Sequence, residues 1–296
     1  MPHLFSLESR TLMSNLEVSS AELDRRLHLR KQRWRSVIIS LISTIVFAAL
    51  VWFGLLSTPG WVRVEETFFN WEVAVESFPR IFDGLLLNLR VLLVASVLVL
   101  IFGLTLAVIR TLKSPVLFPL RVLAKGYVDV FRGLPLIIVL YLVGFGIPGL
   151  RLEFLGRIPA EVLGIAALTI TYSAYVSEVF RAGIESVHPS QRLAARSLGL
   201  SYSKSMRLVI LPQAIRKVVP PLMNDFVALQ KDVGLISVLG AIDAVRGAQI
   251  EVAKFANFTP YVVAGLLFVL LAIPTIRIAD QISARFTSRE QQGVIL

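Results

Sequence analysis

Seven ionisable residues fall inside otherwise apolar stretches of this 296-residue chain: Arg90, Asp129, Arg132, Glu178, Asp225, Lys231 and Asp232. A charge at the centre of a membrane helix costs roughly 2.5–3.5 kcal/mol on insertion scales, so each must be paired or put to use. Asp129 and Arg132 lie three apart on one helical face and Lys231 and Asp232 are adjacent, so mutual pairing that fixes helix packing is one reading. The other is a polar path through the membrane. Gly133, Pro135, Pro220, Pro221 and Gly234 can break their helices there and free backbone groups to bind a small polar solute. Asn224, Asp225, Lys231 and Asp232 are the leading path residues, with Asp129 and Arg132 beside them. Glu178, near the end of its span, suits a path or an anchor for the loop that follows. Covalent chemistry has few candidates: there is no cysteine, His3, His28 and His188 are scattered, and no Gly-Lys dipeptide marks a phosphate-cradling loop.

The elements that must hold these charges are membrane spans. Hydrophobic residues make up 55% of the chain and charged residues 17%, with a mean hydropathy of +0.73, too little polar material to cover a soluble surface. Val37 to Leu56 carries no charge and is long enough to cross a ~30 Å hydrocarbon layer as a helix. Further apolar runs occupy Val91 to Ile109, Gly133 to Leu150, Val162 to Ser177, Val218 to Gly240 and Thr259 to Ile276, giving about six spans. The first run lies too deep and is too long for a cleaved signal peptide, and reads as a retained anchor.

Basic residues orient the spans. With a cytoplasmic N-terminus, segments 1–36, 110–125, 181–217 and 277–296 share one side and hold 21 of the 30 Lys and Arg residues. The opposite segments, 57–83, 147–161 and 241–258, hold six, against nine acids. This asymmetry predicts both termini in the cytoplasm. The net charge of +10 is then a topology signal and a match to anionic membrane lipid rather than a mark of nucleic-acid binding.

On that topology, Arg181 to Lys217 is the longest cytoplasmic connection, and a loop of that length needs structure of its own. Ser190 can cap a short helix through Leu198, with Leu193, Ala194, Ser197 and Leu198 on a small apolar face, and Gly199 can end it. Ser201 can cap a second helix with Met206, Val209 and Ile210 on one face, ended by Pro212. The pair forms either a knob for a groove in a partner or an amphipathic hairpin on the lipid surface.

The spacing of Ala194, Ala195, Gly199, Leu211 and Pro212 resembles the coupling loop of ABC importer permeases. There the pattern is Glu-Ala-Ala, three residues, Gly, nine residues, Ile, one residue, Leu-Pro; here Leu193 stands for the Glu and Val209 for the Ile. The polar-amino-acid branch of that family, the histidine and glutamine type, is similar over about Phe78 to Ile276. The stretches carrying the similarity begin at Gly84, Tyr127, Ala174, Val187 and Leu229. Asn88, Leu134 and Val233 stand where family versions often have Thr.

The resemblance implies an all-α, polytopic permease subunit with a five-helix core and one extra N-terminal helix. It implies transport of amino acids across a bacterial plasma membrane, with Leu193, Ala194, Ala195, Gly199, Leu200, Leu211 and Pro212 at the ATPase contact. The chain itself would use no cofactor, ATP and Mg2+ being held by a partner ATPase dimer. The other implied partners are a second permease subunit, identical or homologous, and an external or periplasmic amino-acid-binding protein docking near Arg151 to Glu161. The expected organisation is a basic tail (1–36), an extra span (37–56), an external aromatic and acidic segment (57–79), a permease domain (80–278) and a short tail (279–296). Close packing of Ala194, Ala195 and Gly199 against the ATPase is expected to carry the coupling contact. The competing class is an ion-driven secondary transporter using Asp129, Asp225 and Asp232 as relays.

Overall fold

A computed structural model describes residues 20–112, 114–152 and 158–292, and the regular elements among them are all helices. Two compact units divide at Glu66/Thr67.

The first unit holds α1 (Ser20–Val51), a π turn at Trp52–Leu56 and most of α2 (Pro59–Phe68). Ile38, Ile45, Phe47 and Leu50 of α1 are all more than 45% exposed. From Val37 onward the helix is apolar on every face, and so much exposed apolar surface suits lipid as its solvent. The basic run expected to form a tail is, from Ser20 onward, part of this same helix; residues 1–19 lie outside the described residues.

The second unit begins where Thr67 accepts a backbone hydrogen bond from Phe258 at 2.9 Å and Phe68 stacks on Phe258. Asn70 caps α3 (Trp71–Thr111), its side chain accepting from the Val73 N–H. This helix of 41 residues is about 60 Å long at ~1.5 Å per residue, twice a ~30 Å hydrocarbon layer. α3 passes through Pro79 unbroken, so the external segment expected to end at residue 79 and the permease domain share one helix.

α4 (Phe118–Gly133) ends at Gly133, and α5 (Leu136–Tyr141) restarts after Pro135, continuing through a π turn to Gly149. The two halves meet at 109°, as the Gly133/Pro135 pair predicts. α6 (Ala160–Glu185) is the most enclosed span. It packs against α3 and α5, and Val91, Ala95, Val99, Val139, Leu140, Leu168, Tyr172 and Val176 belong to one core that also takes Leu229 and Ile236. Residues 153–157 of the expected binding-protein loop lie outside the described residues.

After the short helices α7 (Pro189–Ser197) and α8 (Tyr202–Ser205), a π turn at Met206–Ile210 leads into α9 (Leu211–Asp232). Pro220 and Pro221 do not break α9, and Pro212 does not end the preceding helix. The Leu211 N–H reaches back five residues to Met206 O, so the widened turn absorbs the amide that Pro212 lacks. The break comes later. A 3-10 stretch, Val233–Leu239, ends at Gly240 with φ of 87°, and α10 (Ala244–Phe255) leaves at 51°. α11 (Thr259–Gln292) closes the unit and continues as helix past residue 279 into the segment expected to form the tail. Among the described residues four helices are long and apolar enough to span, or up to six if each bent pair is one span, in line with the sequence count.

Candidate functional site

The expected Asp129–Arg132 and Lys231–Asp232 pairings do not form. Arg132 is turned from its own helix toward Glu178 on α6, 4.0 Å away, and lies over the Tyr175 ring. Glu178 Oε2 also accepts from Arg110 Nη1 at 2.9 Å, and Oε1 accepts from Arg181. Glu178 thus gathers cations from the end of α3, the end of α4 and its own helix, so its carboxylate fixes three elements at once. Asp232 instead accepts from the Tyr172 hydroxyl at 2.8 Å. Asp129, Asn224 and Lys231 are exposed on the unit's surface.

Two cavities meet at Asp225. One, about 400 Å³, is lined by Arg132, Tyr175, Glu178, Lys217 and Pro221. The other, about 140 Å³, is lined by Ser96, Tyr172, Leu222, Phe226 and Leu229. Asp225 contributes to both walls, and its Oδ2 is buried without a hydrogen-bond partner. A buried, unpaired carboxylate oxygen is costly unless something visits it. Of the path residues, the fold thus brings Asp225, Glu178 and Arg132 to one cavity, with Asp232 held beside the smaller one by Tyr172.

The residues sequence reasoning missed hold the break in place. Asn88 on α3 donates from Nδ2 to Val233 O (3.2 Å) and to Asp243 Oδ2 (3.0 Å), and its Oδ1 accepts from the Ala244 N–H (3.0 Å). Asp243 caps α10 through the Arg246 N–H. Asn88 and Asp243 are essentially inaccessible, and a Cβ on Gly84 would run into the Asp243–Ala244 backbone. This network ties both sides of the α9–α10 break to α3. The Asx cap at Asp243 before an apolar run was the available signal; its partner 155 residues away was not.

The knob that follows α6 is built as a unit. His188, not Ser190, caps α7, its Nδ1 accepting from the Ser190 N–H at 3.2 Å. At the other end the Gly199 N–H bonds Arg196 O and the Leu200 N–H bonds Ala195 O, with Gly199 at φ of 77°. This Schellman turn requires the left-handed region that glycine occupies freely. Arg192 donates to Ile184 O at 2.8 Å, and Val187, Ile210 and Ala214 form a small core with Ile184 and Met206. Ala195 is 3% exposed, so it serves the knob's own packing, contrary to the expectation that it faces a partner. What the knob presents instead is Leu193 at 62% and Leu198 at 81% exposure, beside exposed Ala194, Leu211 and Pro212. Leu200 is half-buried behind them.

Residues 100–288, a stretch that includes this knob and the break beyond it, match the family described as the binding-protein-dependent transport system inner membrane component. The chain belongs to this family. Among relatives of this inner-membrane component, the glutamate/aspartate import permease protein GltK of Escherichia coli O6:H1 is 36% identical over 208 residues, covering 66% of this chain and 92% of the relative. The arginine transport system permease protein ArtQ of Bacillus subtilis is 32% identical over 223 residues, covering 75% and 99%. The crystal structure of an amino acid ABC transporter with histidines superposes with a TM-score of 0.67 at 32% identity, over 73% of this chain and 98% of that one. The MetNI methionine ABC transporter, 20% identical with a TM-score of 0.56 over 70% of this chain and 95% of that one, shares the fold.

Proposed function

We propose that this inner-membrane component is the permease subunit of an amino-acid importer, works as half of a permease pair in the bacterial plasma membrane, and is driven by a separate ATPase. The knob carries the reading. Leu193 and Leu198 stand out on a rigid, self-packed turn, an anchor arrangement suited to a groove in a partner. ATP and Mg2+ belong to that partner. The positive-inside distribution supports a cytoplasmic knob with both termini on the same side, the opposite face then being open to a binding protein.

The chain's own contribution is mechanical and electrostatic. From Tyr202 to Asp232 the helical path is continuous through the π turn, so a push on the knob travels along α9. Asp225 lies fourteen residues beyond Leu211, about 21 Å at ~1.5 Å per residue. At the far end stand Asp225 and the Glu178–Arg132 pair, opposite charges suited to the ammonium and carboxylate of an amino acid. Asp129, Asn224 and Lys231, exposed at membrane depth, are groups that a lipid-facing surface excludes and that a second permease subunit can cover.

Reconstitution with and without the ATPase, followed by amino-acid uptake, tests the assignment. Uptake should require the ATPase and ATP; uptake driven by an ion gradient alone would establish the secondary-transporter reading instead. Because the chain has no native cysteine, single cysteines at Thr67 and Ser203 test the topology. They should label from opposite faces, and labelling of both by an impermeant reagent in intact cells would refute it.

A further inference from the structure

A cleft of about 530 Å³ opens between the end of α3, the start of α4 and the end of α6, the helix that leads into the knob. Its charged lining is Arg110, Arg121, Lys125, Arg181 and Glu185. Arg110 and Arg181 are committed to Glu178, and Arg181 also to Glu185. Among the described residues no acid pairs with Arg121 or Lys125. Arg121 spends one nitrogen on Leu112 O at 2.9 Å and lies over the Phe118 ring, but its Nε is buried with no acceptor. Lys125, one helical turn on, is exposed. The cleft therefore holds an uncompensated charge of about +2, with part of a guanidinium already desolvated and awaiting an acceptor.

What surrounds the cleft selects among anions. Of its apolar lining, Phe118 is 59% and Val122 52% exposed, an apolar edge beside the two cations on the same helix. A soluble anion gains nothing from such a rim, whereas a phospholipid lays its acyl chains along it and its phosphate between Arg121 and Lys125. We propose that this cleft is a binding site for the headgroup of an anionic phospholipid, held by Arg121 and Lys125 with its chains on the exposed face of α4.

The site is testable on the detergent-purified full chain by native mass spectrometry, titrating phosphatidylglycerol, phosphatidylcholine or inorganic phosphate. Wild type should retain phosphatidylglycerol in preference to phosphatidylcholine. Arg121→Gln/Lys125→Gln should weaken that retention roughly 10- to 30-fold, whereas Arg277→Gln/Arg285→Gln, which removes equal charge elsewhere, should leave it within about twofold. If the double variant does not fold, the single Lys125→Glu, at an exposed position, serves in its place and should show the same direction. Equal retention by wild type and the cleft variant, equal loss in both double variants, or inorganic phosphate displacing the lipid would each overturn the assignment.

Discussion

Replacing Gly183 by Ala puts a methyl group where α6 and α9 pack closely. A Cβ there would overlap Cγ2 of Val218 and sit 3.3 Å from Ala214 O. Val218 is β-branched, held at one χ1 within its helix, and 5% exposed, so it has little room to yield. Overpacking of this kind costs about 1–3 kcal/mol, while the helix propensity of Ala over Gly returns about 1 kcal/mol. Val218→Ala alone removes two buried methyl groups, a loss of about 1.6 kcal/mol at ~0.8 each. If the two changes acted independently their costs would add. If the overlap is the source of the first cost, the double variant loses it, and the singles and the double differ from additivity by about 2 kcal/mol.

Thermal unfolding of the four proteins in detergent reads this as roughly 4–8 °C, at ~2–4 °C per kcal/mol for a unit of this size. Gly265→Ala, with nothing within 4 Å of the added carbon, is the control for the propensity gain alone and should be stabilised by about 1 kcal/mol. ATP-driven uptake by the reconstituted transporter should follow the same pattern, since this contact lies between the knob and Asp225. Additivity within about 0.5 kcal/mol would refute the account of the α6–α9 approach.

Asp225→Asn should leave the melting temperature within about 2 °C, because Oδ2 has no partner to lose, yet change uptake rate or substrate preference; unchanged uptake of every amino acid tested would remove Asp225 from the path. Leu198→Asp should uncouple ATP hydrolysis from uptake with little change in stability, since the side chain is 81% exposed, as measured by ATPase stimulation in proteoliposomes; full coupling would show that the knob docks through another face. Gly199→Ala should cost about 1–2 kcal/mol for a side chain in the left-handed region, although its Cβ meets no atom within 4 Å, and the same melts check it. Asn88→Ala strands the Ala244 N–H and one oxygen of Asp243 in a buried site, so a loss of about 2–3 kcal/mol is expected, seen as a lower unfolding temperature.

Much of the knob was legible because its signals are local. Gly199 ends α7 as expected, and Met206 and Ile210 do pack on one face. Its errors were also local competitions. His188 took the cap from Ser190, and a π turn let the chain run through Pro212. Pro220 and Pro221, read as possible breakers, sit within a continuous helix, whereas Gly133 and Pro135, followed by a change of direction, do break theirs. Sequence could not tell these pairs apart, because the cost of a lost backbone bond depends on what packs around it.

By itself the sequence determined the class of molecule, the approximate number of spans, the uneven distribution of basic charge and the position of the knob. Each of these follows from composition or from spacing within a few turns. Tertiary structure alone decided which charges meet. Arg132 left its neighbour Asp129 for Glu178, 46 residues away in sequence, and Asp232 found Tyr172 instead of Lys231. Adjacent residues in a helix point in different directions, so the partner of a buried charge is set by the helix packed against it. The same reason left Asp225 unanswered at the junction of two cavities, a feature no spacing in the sequence encodes.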